Sequence, residues 1–215
     1  LVGIGMTKFG PLPDMSMKEI TGAAVNAALE DAGIDAEAIE AAYFANATQG
    51  ALEGQYMIPG QVALRSIGIE GVPVVNVENA CASASTAFAL ACKDIRAGDA
   101  SVVLAVGAEK MITPDKVKNM AVFDGAIDVN GREATLDGLL ALSDGFELPP
   151  EAYEEAGMRS VFMDVYAAIA KHHMKLHGTT QRQMAAVAAK NHNHSVHNER
   201  AQFRKSFTID EVMEA

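Results

Sequence analysis

Short apolar runs alternate along the chain with longer stretches in which small and apolar residues return every three or four positions, and this alternation sets out the elements in order. Residues 1–6 are apolar and glycine-punctuated and lead into Gly10, Pro11 and Pro13, which predicts a buried strand followed by a loop. Ser16, with Glu19 three residues on, marks a helix start; Ile20, Ala23, Ala24, Ala27 and Ala28 then fall at helical spacing before Gly33 ends the run. Residues 41–47 predict a strand, 55–67 a helix with Pro59 near its start, and 72–77 a second clear strand. Residues 81–97 read as an alanine-rich helix closed by Gly98 and Asp99, and 101–106 (SVVLAV) as a continuous apolar strand.

The order β-α-β-α-β-α-β predicts an α/β fold, a parallel or mixed sheet with helices covering its faces. After Gly107 the pattern changes. Residues 113–150 mix Asp, Gly, Met and Pro without a sustained period, which predicts an excursion carrying loops. Helical spacing returns over 151–177, breaks at Gly178, Thr179 and Thr180, and resumes as an amphipathic helix from Gln181 to about residue 196.

Composition narrows the function classes. Of 215 residues, 49% are hydrophobic, enough for a proper core in one large or two small domains. The net charge of -11 excludes a binder of nucleic-acid backbones, which needs a basic footprint. No apolar run reaches the roughly 18 residues that span a bilayer, so the expectation is no membrane and a cytoplasmic protein. Two cysteines without a CxxC do not frame a disulfide or zinc site; on one helix Cys81 and Cys92 would stand about 16 Å apart along the axis.

The candidate chemistry centres on VNVENACASASTA, residues 75–87, where Cys81 falls between a β-branched run and a series of small residues. A strand ending near Val77 and a helix beginning near Ala82 put this cysteine at a strand-to-helix turn, where unpaired amides and the macrodipole favour a thiolate and an adjoining oxyanion. Small side chains at 82–85 leave room for a substrate, and stabilisation, access and backbone donors are the needs of a nucleophile. Cys92 is expected on a packed helical face. The six histidines gather between residues 172 and 197; His173 and His177 share the i, i+4 spacing of a metal-binding pair, but no carboxylate or cysteine completes a set locally, and solvated or locally bonded histidines with no metal are the expectation. Glu109 follows a buried strand, a place where a carboxylate more often bonds loop amides than reacts. No GxGxxG or P-loop spacing supports nucleotide chemistry.

The segment NACASASTAFALACKDIRAGDASVVLAVGAEKM resembles the nucleophile region of the thiolases, in which a cysteine heads a buried helix and a strand ending in a Gly-x-Glu-x-Met turn follows. The opening GIGMTKFG and the late stretch HGTTQRQMAAVAAKNHNHSVHNERAQFRKSFTIDEV are similar to the sterol-carrier-type branch of that superfamily. The resemblance implies a thiolase-like fold: a mixed five-stranded sheet covered by helices, with a mostly helical loop domain. It divides the chain into a nucleophile-bearing half at 1–112, a loop and substrate-binding excursion at 113–180, and a return helix with the start of a link at 181–215. It also implies that Cys81 is acylated by a coenzyme A thioester in thiolytic cleavage of a 3-oxoacyl-CoA or the reverse condensation, with its backbone amide serving an oxyanion hole; the alternatives are a non-catalytic subunit that binds acyl-CoA or lipid, and a ketoacyl synthase or C-C lyase on the same fold. Phe162 and Met163 fall where related thiolases line the acyl pocket. The expected ligands are acyl-CoA and CoA, with no separate cofactor. The expected assembly is a homodimer or homotetramer with an OB-fold partner protein. The family's histidine and second cysteine lie in GHP-like and C-x-G motifs that this sequence does not contain, so the second half of the fold is expected elsewhere. Where many thiolases carry glycine shortly after the cysteine, this chain has Ala84.

Overall fold

Ser16 caps helix α1 (Met17–Ala32) as its spacing predicts: its hydroxyl accepts the Glu19 N–H, and Glu19 returns a carboxylate oxygen to the Ser16 N–H at 2.7 Å. These bonds hold the Glu19 carboxyl below its ordinary range. Gly33, in the left-handed region at φ 67°, closes the helix. Strand β1 (Ala41–Ala45) follows and is buried along its whole length, as a central parallel strand requires. Two short helices, α2 (Gln49–Glu53) and α3 (Pro59–Arg65), lead to β2 (Val74–Val77); then come a single 3-10 turn (Ala80–Ala82), α4 (Ser83–Ala97) and β3 (Val103–Gly107). The computed structural model describes residues 1–145 and 161–214, in two units, Leu1–Ala126 and Ile127–Ala215.

The three strands form a parallel sheet in the order β2-β1-β3, with Ala42 opposite both Val74 and Leu104. Phe44, Leu64 and Val25 are the largest fully buried side chains and centre a core between α1, α3 and one face of the sheet. Tyr43, Ala45 and Val77 pack on Ala87 and Ala91 of α4 across the other face. Tyr43 donates to Asp94 at 2.7 Å, a bond that pushes its hydroxyl's titration upward.

The α/β architecture matches the sequence reading, and the sheet is smaller than the five mixed strands expected: among the described residues it has three, all parallel. Residues 1–6 are not one of them. The Ile4 N–H donates to Asp31 at the end of α1 at 2.8 Å, and Gly3 and Gly5 lie so close to α1 that an added Cβ would meet the carbonyl oxygens of Ala28 and Ala24 at 2.3 and 2.0 Å. The opening segment is therefore seated on a helix. Likewise the helix expected over 55–67 begins only at Pro59, because Ile58 sits at φ 47° immediately before it.

In the first unit α5 (Lys116–Ala121) starts behind Asp115, which caps the Lys118 N–H. The second unit contains α6 (Arg132–Leu140), α7 (Val161–His177), α8 (Gln181–Ser195) and α9 (Ile209–Met213). The part of the expected helix at 151–160 lies outside the described residues. Thr180 and Gln183 form the capping box of α8, and Thr208 and Glu211 that of α9. A groove between α7 and α8 is lined by Tyr166, Ile169, His173, Met184 and Val187. No helix among the described residues is long and apolar enough to cross a membrane.

Candidate active site at the carboxyl edge of the sheet

All three strands point their carboxyl ends the same way, and in an open parallel sheet that edge is where ligands bind. Cys81 stands there, four residues beyond the last residue of β2, in the 3-10 turn that precedes α4, with its side chain exposed. The residue before it, Ala80, is at φ 44°, a conformation that L side chains rarely adopt.

A set of local hydrogen bonds holds that conformation. The Ala80 N–H donates to Glu78 at 2.6 Å, and the Ser83 hydroxyl accepts the Asn79 N–H at 2.8 Å while donating to the Ala80 carbonyl at 2.7 Å. Asn79 Nδ2 reaches the Thr86 hydroxyl at 3.0 Å, and that hydroxyl donates to the Ala82 carbonyl at 3.0 Å. Ser83 is buried and Cys81 is exposed, so the turn directs the Ser83 hydroxyl inward and leaves the cysteine at the surface. In the sequence pattern Ser83 is only one of a series of small residues; its position four after Asn79 and three after Ala80 is the available signal for a hydroxyl that competes for turn backbone.

The neighbouring loops are laced together across the same edge. Asn46 donates to the Ala108 carbonyl at 2.7 Å and accepts the Gln49 N–H at 2.9 Å, joining the end of β1 to the end of β3. Glu109 accepts the Ala47 N–H and the Thr48 hydroxyl, the loop-bonding role expected of a carboxylate after a buried strand. Gly107 fits against α4 because it has no side chain: a Cβ there would lie 3.0 Å from the Ala84 Cβ.

Cys92 is half-buried on α4 and lines a separate cleft with residues 1–5 and β3. Phe162 and Met163 lie in the first turn of α7 in the second unit, Phe162 half-buried and Met163 exposed. His192 is engaged locally, its Nδ1 3.2 Å from the Lys205 carbonyl and its ring edge-on to Phe207 at 4.7 Å. Among the described residues no group of three or more His, Cys, Asp and Glu could hold a metal ion.

Residues 1–210 match the family described as "Thiolase, N-terminal domain". The chain is 35% identical to non-specific lipid-transfer protein-like 2 of Caenorhabditis elegans, over 100% of this chain and 48% of that protein. It is 33% identical to sterol carrier protein 2 of Bos taurus, over 99% of this chain and 36% of that one. It is 30% identical to an acetyl-CoA acetyltransferase of Methanothermobacter thermautotrophicus, over 99% of this chain and 49% of that one. The chain thus spans half or less of the length of these relatives. Among solved structures the Ltp2-ChsH2(DUF35) aldolase is similar with a TM-score of 0.60, over 97% of this chain and 46% of that one, at 19% identity, a likeness of fold.

Proposed function

Because the chain belongs to the thiolase family, we propose that it is the nucleophile-bearing part of an acyltransferase in which Cys81 takes an acyl group from a coenzyme A thioester. The observation that carries this reading is the exposed Cys81 thiol, presented by the Ala80 turn at the carboxyl edge of the sheet. In the cleavage direction the Cys81 thiolate adds to the keto carbon of a 3-oxoacyl-CoA. The bond from that carbon to its α-carbon then breaks, and its electron pair leaves on acetyl-CoA, which takes up a proton. The acyl group remains on sulfur until the thiolate of free CoA displaces it as a shortened acyl-CoA. The reverse sequence is a Claisen condensation.

The chain brings one member of the machinery this chemistry requires. A thiol nucleophile needs a base for its proton, and the departing carbanion needs an acid, each contributing typically about 10²- to 10⁴-fold. The first unit contains no histidine, since all six lie between residues 172 and 197. The proposal accordingly assigns both proton-transfer groups to protein beyond these residues. It includes assembly as a homodimer or homotetramer and docking of an OB-fold partner; the DUF35 component of the Ltp2-ChsH2(DUF35) aldolase supports a partner of some kind.

The test is acylation followed by turnover. Incubated with acetoacetyl-CoA or acetyl-CoA, the chain should gain the mass of one acyl group at Cys81, and Cys81→Ala should gain none. Acetoacetyl-CoA loss with free CoA should be absent for these 215 residues alone and appear when a C-terminal thiolase half is supplied in trans. Acylation elsewhere than Cys81 would overturn the assignment of the nucleophile. A second reading, a subunit that binds acyl-CoA or lipid without turnover, is supported by the lipid-transfer and sterol-carrier names of two relatives; thioester binding with no acyl adduct would favour it.

A further inference from the structure

We propose that His173 and His177 chelate a borderline divalent transition-metal cation of the zinc, nickel and copper class on α7, a site independent of the acyl-transfer reading. The i, i+4 spacing puts the two imidazoles one helical turn apart on one face, and both residues are exposed, so an ion reaches them from solvent. Spacing alone is common to many solvated pairs. The ring geometry is more selective: the centroids are 4.6 Å apart, with the planes tilted by 50°. Metal–nitrogen bonds of about 2.1 Å put each ring centroid roughly 3.2 Å from a bound ion, so two imidazoles in adjacent coordination positions have centroids roughly 4.5–5.2 Å apart. The pair already stands at that separation.

His172 and His192 do not offer this arrangement. His192 is turned to the Lys205 carbonyl and the Phe207 ring. His172 adjoins His173 in sequence and so faces another side of the helix. Because no third His, Cys, Asp or Glu among the described residues joins the pair, the ion would be held by two protein nitrogens, with water in its other positions. Imidazole suits zinc, nickel and copper, whereas magnesium and calcium require oxygen donors, so the pair discriminates between these classes.

Calorimetric titration of the full chain with Zn²⁺ and, separately, Ni²⁺ tests the assignment. One ion should bind per chain; His173→Ala and His177→Ala should each weaken binding by about 100-fold, because a single remaining imidazole loses the advantage of intramolecular capture. His194→Ala should bind as the parent does, and Mg²⁺ should not compete. With Ni²⁺ added substoichiometrically, the imidazole proton resonances of His173 and His177 should broaden first. The proposal is overturned if no ion binds, if either single variant keeps the parent affinity with its circular dichroism unchanged, or if His194→Ala weakens binding equally.

Discussion

Ala80 bears the positive φ that presents the thiol, and the consequence is measurable residue by residue. Replacing Ala80 by Gly removes the Cβ that disfavours φ 44°, whereas Ala89→Gly, on the exposed side of α4, only loses helix propensity. Urea denaturation should therefore find Ala80→Gly neutral or stabilising and Ala89→Gly destabilising by about 1 kcal/mol. The thiol itself should react differently from its neighbour: limited iodoacetamide treatment with peptide mapping should modify exposed Cys81 well before half-buried Cys92, and Ser83→Ala, which releases the Asn79 and Ala80 backbone, should narrow the difference. Cys81 and its turn were legible in the sequence because a lone cysteine followed a β-branched run and preceded small residues. The positive φ at Ala80 was not, since an alanine carries no signal for the left-handed region and adopts it here under the pull of Glu78 and Ser83.

At the scale of elements, helices whose ends are fixed by neighbours in sequence were readable and segments fixed by distant contacts were not. The Ser16–Glu19 box announced α1 because both partners lie within one turn. Residues 1–6 had the composition of a strand, but their position depends on Asp31 and on the backbone of α1, which no local pattern records. The boxes also titrate. The carboxyls of Glu19 and Glu211 are held low mainly by backbone hydrogen bonds at Ser16 and Thr208. Their folded values lie below the unfolded ones, so the stability they contribute is complete above the unfolded value near 4.5 and is lost as pH falls through the folded one. Protection factors of the amides in the first turns of α1 and α9, corrected for the intrinsic pH dependence of exchange, should fall on acidification below that point, and Glu19→Gln should blunt the change in α1. Between α3 and the sheet, Gly60 leaves room for Phe44: a Cβ there would lie 2.5 Å from the Phe44 Cβ, and Gly60→Ala should lower stability by about 1–3 kcal/mol in thermal or urea melts.

For the whole molecule, the main question is what covers α4. Ala84, Phe88 and Ile95 recur along one side of that helix and are exposed, Phe88 by 51%, so the stripe offers apolar surface of the kind that soluble chains usually bury. The isolated 215 residues should accordingly associate in solution. Sedimentation velocity should show species heavier than 22.7 kDa, and Phe88→Glu should shift the distribution toward that mass; a monodisperse monomer of the parent chain would contradict the expectation. The alternation of strand and helix made the α/β class legible at this scale, whereas the number of strands was not, because pairing is decided by edges that meet across the fold. The middle strand, β1, is made first, yet its partners arrive later, and the loops beyond β1 and β3 meet through Ala47 and Glu109, which are 62 residues apart in sequence. Closing so long an interval is slow, so a chain emerging from the ribosome would pair β1 with β2 first and complete the other edge of β1 only after Gly107 and Glu109 had been synthesised.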